Sequence, residues 1–150
     1  VLLSVRDIVQ PIAEEKGLEV RLVAPDGLIR IGHSVAISRV LLNLTTNALK
    51  FSDTGFVEIR VSEGPDDRVD FVVRDTGRGI PLEAMEMLFE PFRRRQKERD
   101  YAFSGSGLGL SICRKLVEAM GGQMQVTTAP GEGTQFHFSL ALPPIADGFE

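Results

Sequence analysis

The sequence has a single cysteine, Cys113, so no disulfide can form within the chain. This is typical of a reducing compartment, and we expect a cytoplasmic domain. No apolar run approaches the roughly 18 residues of a membrane-spanning helix, and no signal-peptide pattern is present. The net charge is −4 and the pI is about 5.3. We therefore expect no general nucleic-acid binding, which would require a basic face.

The length and composition fit one domain with its own hydrophobic core. Of the 150 residues, 43% are hydrophobic and 25% are charged, which is ordinary for a globular chain. The chain begins at Val1, inside a pattern of apolar residues at helical spacing. We therefore expect it to be part of a longer protein, whose membrane anchor, if it has one, lies outside these residues.

Hydrophobic periodicity predicts both helices and strands. An N-terminal helix with the apolar residues Val5, Ile8, Val9, Ile12 and Ala13 is predicted to end at Gly17. Further helices are predicted over 34–51 and after 109, the first with Ser34 as a capping residue and the second closed by Gly121-Gly122. Strands are predicted over 18–23, 56–61, 68–74, 123–128 and 134–142.

One strand ends in Asp75-Thr76-Gly77-Arg78-Gly79-Ile80. Two glycines at the second and fourth positions after a carboxylate let the backbone turn sharply and let a ligand approach the main chain. Asp75 would then be the strong acceptor for a flat, polar small molecule. The same pattern also occurs in ordinary turns, and the hexapeptide alone does not distinguish the two interpretations.

The helix over 34–51 carries a polar stripe beside its apolar face. Asn43, Asn47 and Lys50 recur at i, i+4 and i+7 and therefore lie along one side of the helix. Such a stripe is most often a solvated face. Asparagine, however, is a poor residue inside a helix because its side chain competes for backbone hydrogen bonds. Two asparagines one turn apart thus favour a polar site at the edge of the core.

A second glycine-rich segment, Gly105-Ser106-Gly107-Leu108-Gly109, leads directly into a helix. The free N–H groups at a helix start can bind an anion, although the segment lacks the Gly-Lys-Ser/Thr ending of a P-loop. The long stretch before it contains the basic run 93–100, which suits a solvated surface or a polyphosphate. Cys113 lies on the apolar face of the helix, and we interpret it as a core residue.

Four segments resemble, in the same order, the N, G1, F and G2 boxes of the ATP-binding catalytic domain of bacterial sensor histidine kinases. They are residues 43–51, 75–79, 89–92 (Phe-Glu-Pro-Phe) and 105–110. The resemblance spans nearly the whole chain. It implies the Bergerat ATP-binding fold, an α/β sandwich of a mixed, mostly antiparallel sheet with three helices on one face. By this resemblance the catalytic domain covers 1–144, with an ATP lid at about 81–106, and 145–150 form a tail or the start of a linker.

The resemblance also implies roles for individual residues toward ATP and Mg²⁺. Asp75 would accept the adenine amino group and Thr134 would support it through water. Asn47 would hold the magnesium ion, Asn43 would lie beside the phosphates, and Lys50 and Arg94 would meet phosphate charge. Phe89 and Phe92 would anchor the lid. The remaining implied contacts to the nucleotide come from Gly77, Gly79, Ile80, Gly105, Ser106, Gly107, Leu108 and Gly109.

Neither His33 nor His137 is followed by the acidic residue expected after a phosphoacceptor histidine. The resemblance therefore implies a kinase domain that phosphorylates a histidine on a dimerisation domain outside this chain, and then signals through a response regulator. We expect a homodimeric full-length protein and a monomeric fragment. Hydrolytic relatives usually carry a glutamate where this chain has Asn43, which cannot take a proton. A serine kinase of the anti-sigma-factor type, or a nucleotide-binding module of the same superfold, is the alternative.

Overall fold

The computed structural model describes residues 2–25, 30, 32–79, 109–129 and 131–143, and all structural statements concern these residues. In chain order the elements are α1 (Leu2–Lys16), β1 (Glu19–Val23), α2 (Ser34–Phe51), β2 (Phe56–Glu63), β3 (Arg68–Asp75), α3 (Gly109–Ala119), β4 (Gln125–Ala129) and β5 (Gly133–Ala141). The strands form one five-stranded sheet in the order β1-β2-β3-β5-β4.

The sheet is mixed because one pair of strands is parallel and the others are antiparallel. β1 runs parallel to β2, whereas β2–β3, β3–β5 and β4–β5 are antiparallel. The parallel pair follows from its connection, since α2 crosses over between β1 and β2. The expected α/β architecture, with a mixed, mostly antiparallel sheet and three helices, is confirmed in the described part of the chain.

Side chains alternate along the central strands, so that one face of the sheet packs against the helices. Val69, Phe71 and Val73 of β3 are buried, and the Phe71 and Phe138 rings stack with centroids 4.9 Å apart. From α2, Leu41 and Leu44 complete this core with no exposed surface. Burying a large apolar side chain contributes roughly 1.5–3 kcal/mol. The core therefore fixes the position of α2 over the sheet.

Both predicted helix-ending signals are confirmed. At the end of α1, Gly17 N–H donates to Glu14 O and Leu18 N–H donates to Ala13 O. At the end of α3, Gly121 N–H and Gly122 N–H bond in the same pattern to the last turn of the helix. This pair of bonds satisfies carbonyl groups that a helix end would otherwise leave without partners.

Two details of the helices differ from the prediction. The N-cap of α2 is His33, without a side-chain capping bond, and Ser34 is the first helical residue. The helix itself begins at Ser34 as predicted, and the capping position moves to His33 because Ile37 N–H donates to His33 O. In α1, Ile8 and Ile12 are 57% and 41% exposed, since the side of the helix that packs against the domain carries Val5, Val9 and Ala13 instead.

No helix in the described residues is both long and apolar enough to span a membrane.

The face of the sheet away from the helices is polar. There the ring nitrogens of His137 lie 3.3 Å from Gln125 Oε1 and 3.4 Å from Asp70 Oδ1. The Arg21 guanidinium lies 3.8 Å from the centre of the Phe56 ring on the same face.

Candidate functional site

Asp75 lies at the end of β3 and is almost fully buried, with 8% of its surface exposed. It pairs with Val57 on β2 and with Thr134 on β5, so the sheet fixes its backbone on both sides. Its Oδ1 accepts the Gly77 N–H at 2.8 Å. A carboxylate in such a position has a fixed orientation and lone pairs left over for a further donor.

Burial raises the pKa of Asp75 above its ordinary value, because the charged form is removed from water. Hydrogen bonds from the Gly77 and Thr134 backbone lower the pKa of Asp75 and offset this effect in part, and the nearby Ser52 hydroxyl lowers it further by a smaller amount. Ser52 Oγ is buried and makes no well-aligned hydrogen bond within the described residues.

The segment that follows Asp75 is attached to its neighbours on both sides. Thr76 Oγ1 accepts the Phe56 N–H and donates to Thr54 O, each at 3.1 Å. On the other side, Gly131 N–H donates to Arg78 O at 2.8 Å. These bonds join the end of β3 to the α2–β2 connection and to the β4–β5 turn.

The β4–β5 turn closes directly onto Asp75. Gly133 has φ +111°, and a Cβ atom built there would overlap the Asp75 carbonyl oxygen. The hydroxyl groups of Thr128 and Thr134 are 3.0 Å apart beside it. A cavity of about 210 Å³ is lined here by Asp75, Thr134 and neighbouring residues of β4 and β5. A residue with a side chain at position 133 would therefore disturb the carboxylate and the cavity together.

The three residues of the predicted polar stripe of α2 differ in solvent exposure. Asn43 is half-buried, Asn47 is 4% exposed and Lys50 is exposed. Asn47 Nδ2 is buried without a hydrogen-bond partner in the part of the chain that is described. A buried amide group without a partner is costly in a stable domain and indicates a place where a ligand or water completes the bonding.

Helix α3 begins at Gly109 and packs against α2. Its Cys113 is completely buried, as the core interpretation predicted, and desolvation raises the pKa of the thiol to about 11. Asn43 Nδ2 donates to Cys113 Sγ at 3.6 Å. The thiol is thus protonated at neutral pH and joins the core to the polar stripe.

The structure brings together the strand-end group (Asp75, Gly77 and Thr134) through direct contacts and places Asn43 and Asn47 one turn apart on α2. Gly79 lies in the segment that follows β3, and Gly109 is the first residue of α3. Outside the described residues lie the predicted site positions Ile80, Phe89, Phe92, Arg94, Gly105, Ser106, Gly107 and Leu108, with the lid.

Sequence reasoning missed three contributors to the site: Ser52, Gly133 and the contact of Cys113 with Asn43. Gly133 had a recognisable signal, because it precedes Thr134 in a Gly-x-Gly-Thr pattern. Ser52 and Cys113 had none, since their importance comes from contacts between residues distant in sequence.

Within the described ranges, no three His, Cys, Asp or Glu side chains cluster as metal ligands. A divalent ion at the polar stripe would take an amide oxygen from the protein and further oxygens from a bound anion and water. Magnesium binds in this manner, usually retaining several waters. The Asn47 side chain carries an amide oxygen that would meet this requirement, whereas its unpartnered Nδ2 is a donor and would suit the bound anion or a water molecule.

A larger cavity, of about 400 Å³, lies beside the N-terminal half of α2 and is lined by Ile37, Leu41, Phe71 and other apolar residues. Arg30 is its only charged lining residue in the described part of the chain. Among the described residues its lining has no carboxylate or amide side chain, and therefore no acceptor of the Asp75 kind for the amino group of a purine.

Residues 32–144 match the family described as histidine kinase-, DNA gyrase B- and HSP90-like ATPases. The chain is 38% identical over 121 residues to the sensor histidine kinase RcsC of Escherichia coli K12, covering 80% of this chain and 13% of that protein. It is 36% identical over 149 residues to the sensor histidine kinase GacS of Pseudomonas protegens, covering 95% of this chain and 16% of GacS. The chain thus spans less than a fifth of each of these relatives.

Solved structures are similar over nearly the whole chain. The crystal structure of full-length ShkA in complex with AMPPNP superimposes with a TM-score of 0.84 at 34% identity, covering 97% of this chain and 30% of ShkA. The mycobacterial sensor histidine kinase MprB gives a TM-score of 0.72 at 28% identity, covering 95% of this chain and 97% of the MprB structure.

Proposed function

The chain belongs to the family of histidine kinase-, DNA gyrase B- and HSP90-like ATPases, as the ATPase domain of a two-component sensor histidine kinase, and we propose that it binds Mg-ATP. Asp75 is the purine acceptor in this proposal. The γ-phosphoryl group is transferred to a histidine outside these 150 residues. The response regulator that receives the signal, the homodimeric assembly and the cytoplasmic location are part of the same proposal.

The observation that carries the proposal is the buried carboxylate at the end of β3. Asp75 is held by the Gly77 N–H and by its pairing with Thr134, next to a cavity. An amino group on a purine is a donor of the right kind for such an acceptor. Thr134, the pairing partner of Asp75 on β5, would support the same base through a water molecule. The AMPPNP in the related ShkA structure agrees with an adenine nucleotide as ligand.

The phosphate end of the nucleotide would lie along the polar stripe of α2. Asn47 would hold Mg²⁺ through its amide oxygen, and Asn43 would lie beside the phosphates. The bound ion would supply neutralisation of phosphate charge, which phosphoryl transfer chiefly needs. Lys50 would meet the remaining charge, together with Arg94 of the predicted lid. The backbone of the 105–109 glycine segment, at the start of α3, would contribute N–H groups.

Calorimetry with ADP and Mg²⁺ tests the site. Wild-type protein should bind, and Asp75→Asn should weaken binding by about tenfold to a hundredfold, the loss of a hydrogen bond to a charged group. Asn47→Asp should also weaken binding, because the geometry around the ion changes. Asp70→Asn is the matched control, since Asp70 lies on the same strand but faces His137. Unchanged affinity in both site variants would refute the assignment.

Phosphoryl transfer tests the reaction class. Mixed with ATP and a histidine-bearing dimerisation domain, the chain should produce an acid-labile phosphoprotein. Phosphohistidine and phosphoserine differ in acid stability, so an acid-stable product on a protein partner would instead support the anti-sigma-factor type of serine kinase.

A further inference from the structure

Cys113 makes two contacts with α2, and together they define the orientation of the Asn43 amide group. Its Sγ lies 3.6 Å from Asn43 Nδ2 and 3.9 Å from the carbonyl oxygen of Val40. A thiol has one weak donor and a weak acceptor. The S–H group donates to Val40 O, and the sulfur then accepts from the Asn43 N–H group.

The reverse orientation of the amide would remove one of these bonds. It would turn Asn43 Oδ1 toward the sulfur, and the single thiol hydrogen could then serve either Oδ1 or Val40 O but not both. The contacts therefore favour the amide nitrogen on the Cys113 side.

With the nitrogen toward Cys113, the oxygen end of the Asn43 amide faces away from the sulfur. Cys113 has no exposed surface, whereas Asn43 is half-buried, so the exposed part of Asn43 does not lie at this contact. Asn47 follows one turn later on the same stripe, and its buried Nδ2 has no hydrogen-bond partner among the described residues. An amide oxygen presented here can accept a hydrogen bond or bind a hard cation, but it cannot donate to a phosphate oxygen.

We propose that Cys113 is a positioning residue for metal-bound nucleotide: its sulfur holds the amide nitrogen of Asn43, and the amide oxygen is thereby directed to Mg²⁺ or to a water molecule bound to it. This inference rests on the proposed function and makes it more specific. It assigns to Asn43 an acceptor role toward the metal rather than a donor role toward the phosphates.

Calorimetry with ADP, in Mg²⁺ and in EDTA, separates these roles, because the ratio of the two dissociation constants measures the contribution of the metal. Cys113→Val keeps an apolar side chain of similar size but removes the sulfur. It should reduce the Mg²⁺ enhancement by about threefold, the effect of one weak hydrogen bond, and leave affinity in EDTA unchanged. Cys113→Ser, which keeps a donor and an acceptor, should retain the enhancement.

Asn43→Asp provides a second variant at a half-buried position. Both ends of a carboxylate are oxygens, so orientation no longer matters, and Cys113→Val added to Asn43→Asp should have no further effect on the Mg²⁺ enhancement. Equal loss of affinity by Cys113→Val in Mg²⁺ and in EDTA would overturn the inference, because it would indicate a packing role only. An effect of Cys113→Val that persists in the Asn43→Asp background would also overturn it. If the wild-type chain does not bind Mg-ADP, the proposed function itself fails.

Discussion

Replacing Gly133 with alanine tests whether the β4–β5 turn controls the position of Asp75. Gly133 has φ +111°, which L-residues rarely adopt, and the added Cβ would overlap the Asp75 carbonyl oxygen and approach Thr76. The neighbouring atoms are backbone atoms of a paired strand, which cannot rotate away as a side chain can. Strand β5 or the end of β3 must therefore move.

Gly131→Ala is a matched control in the same turn. Gly131 also has positive φ, +80°, but no atom of the described residues lies within 4 Å of the added Cβ. Gly131→Ala should lower the free energy of unfolding by about 1 kcal/mol, the cost of holding an alanine at positive φ. Gly133→Ala adds the overlap with Asp75, and we expect a loss of about 3 kcal/mol in the free energy of unfolding, from combined backbone strain and displacement.

Urea denaturation measures both losses, and calorimetry with Mg-ADP measures the consequence for the site. Gly133→Ala should weaken nucleotide binding by about tenfold or more, since the hydrogen bond to a charged carboxylate depends on its position. Gly131→Ala should bind as the wild type does. Equal losses of stability in the two variants would refute the reasoning, because the overlap with Asp75 would then have no energetic effect.

Two further predictions concern stability without nucleotide. The raised pKa of Asp75 means that the folded state binds its proton more tightly than the unfolded state does, so this group destabilises the fold increasingly as the pH rises from about 4 through the folded-state pKa. The unfolding free energy of Asp75→Asn minus that of wild type should therefore increase over this range and then level off, and a pH-independent difference in urea titrations would contradict the prediction. Lys16 Nζ donates to the carbonyl groups of Leu49 and Lys50 at the C-terminus of α2, so Lys16→Met should cost about 1 kcal/mol. In the same denaturation assay Lys115→Met, at an exposed position of α3, is the control, and equal effects of the two substitutions would show that the caps on α2 contribute nothing.

The sequence predicted the elements well where the hydrophobic period was strong. The alternation in β3 and the stripe on α2 each place large apolar residues toward a single face, and both elements form over nearly the predicted ranges. The prediction was less accurate for α1, where Ile8 and Ile12 fit the helical period but are largely exposed. Hydrophobic periodicity predicts that a helix forms, but it does not predict how much of the surface of the helix the rest of the domain covers.

The site residues could be predicted only where a residue with suitable chemistry is also unusual for its helix or strand. Asp75 before two glycines, and the two asparagines of α2, are visible in sequence because each is unusual for its element. The contacts of Ser52 with Asp75 and of Cys113 with Asn43 join residues 23 and 70 positions apart, respectively. Ser52 follows the end of a helix and Cys113 fits a core face, so their local sequence suggested nothing beyond capping and packing.

The pairing of Asp75 with Thr134 has an evolutionary consequence. The two residues belong to adjacent central strands. The segment that connects them, which includes α3 and β4, therefore leaves the sheet and returns to it at the same point. The entropic penalty for closing such an excursion grows only logarithmically, by about 0.6 kcal/mol for each doubling of a flexible segment. Insertions and deletions between positions 80 and 108 can therefore diversify the chain while Asp75, the proposed purine acceptor, keeps its place.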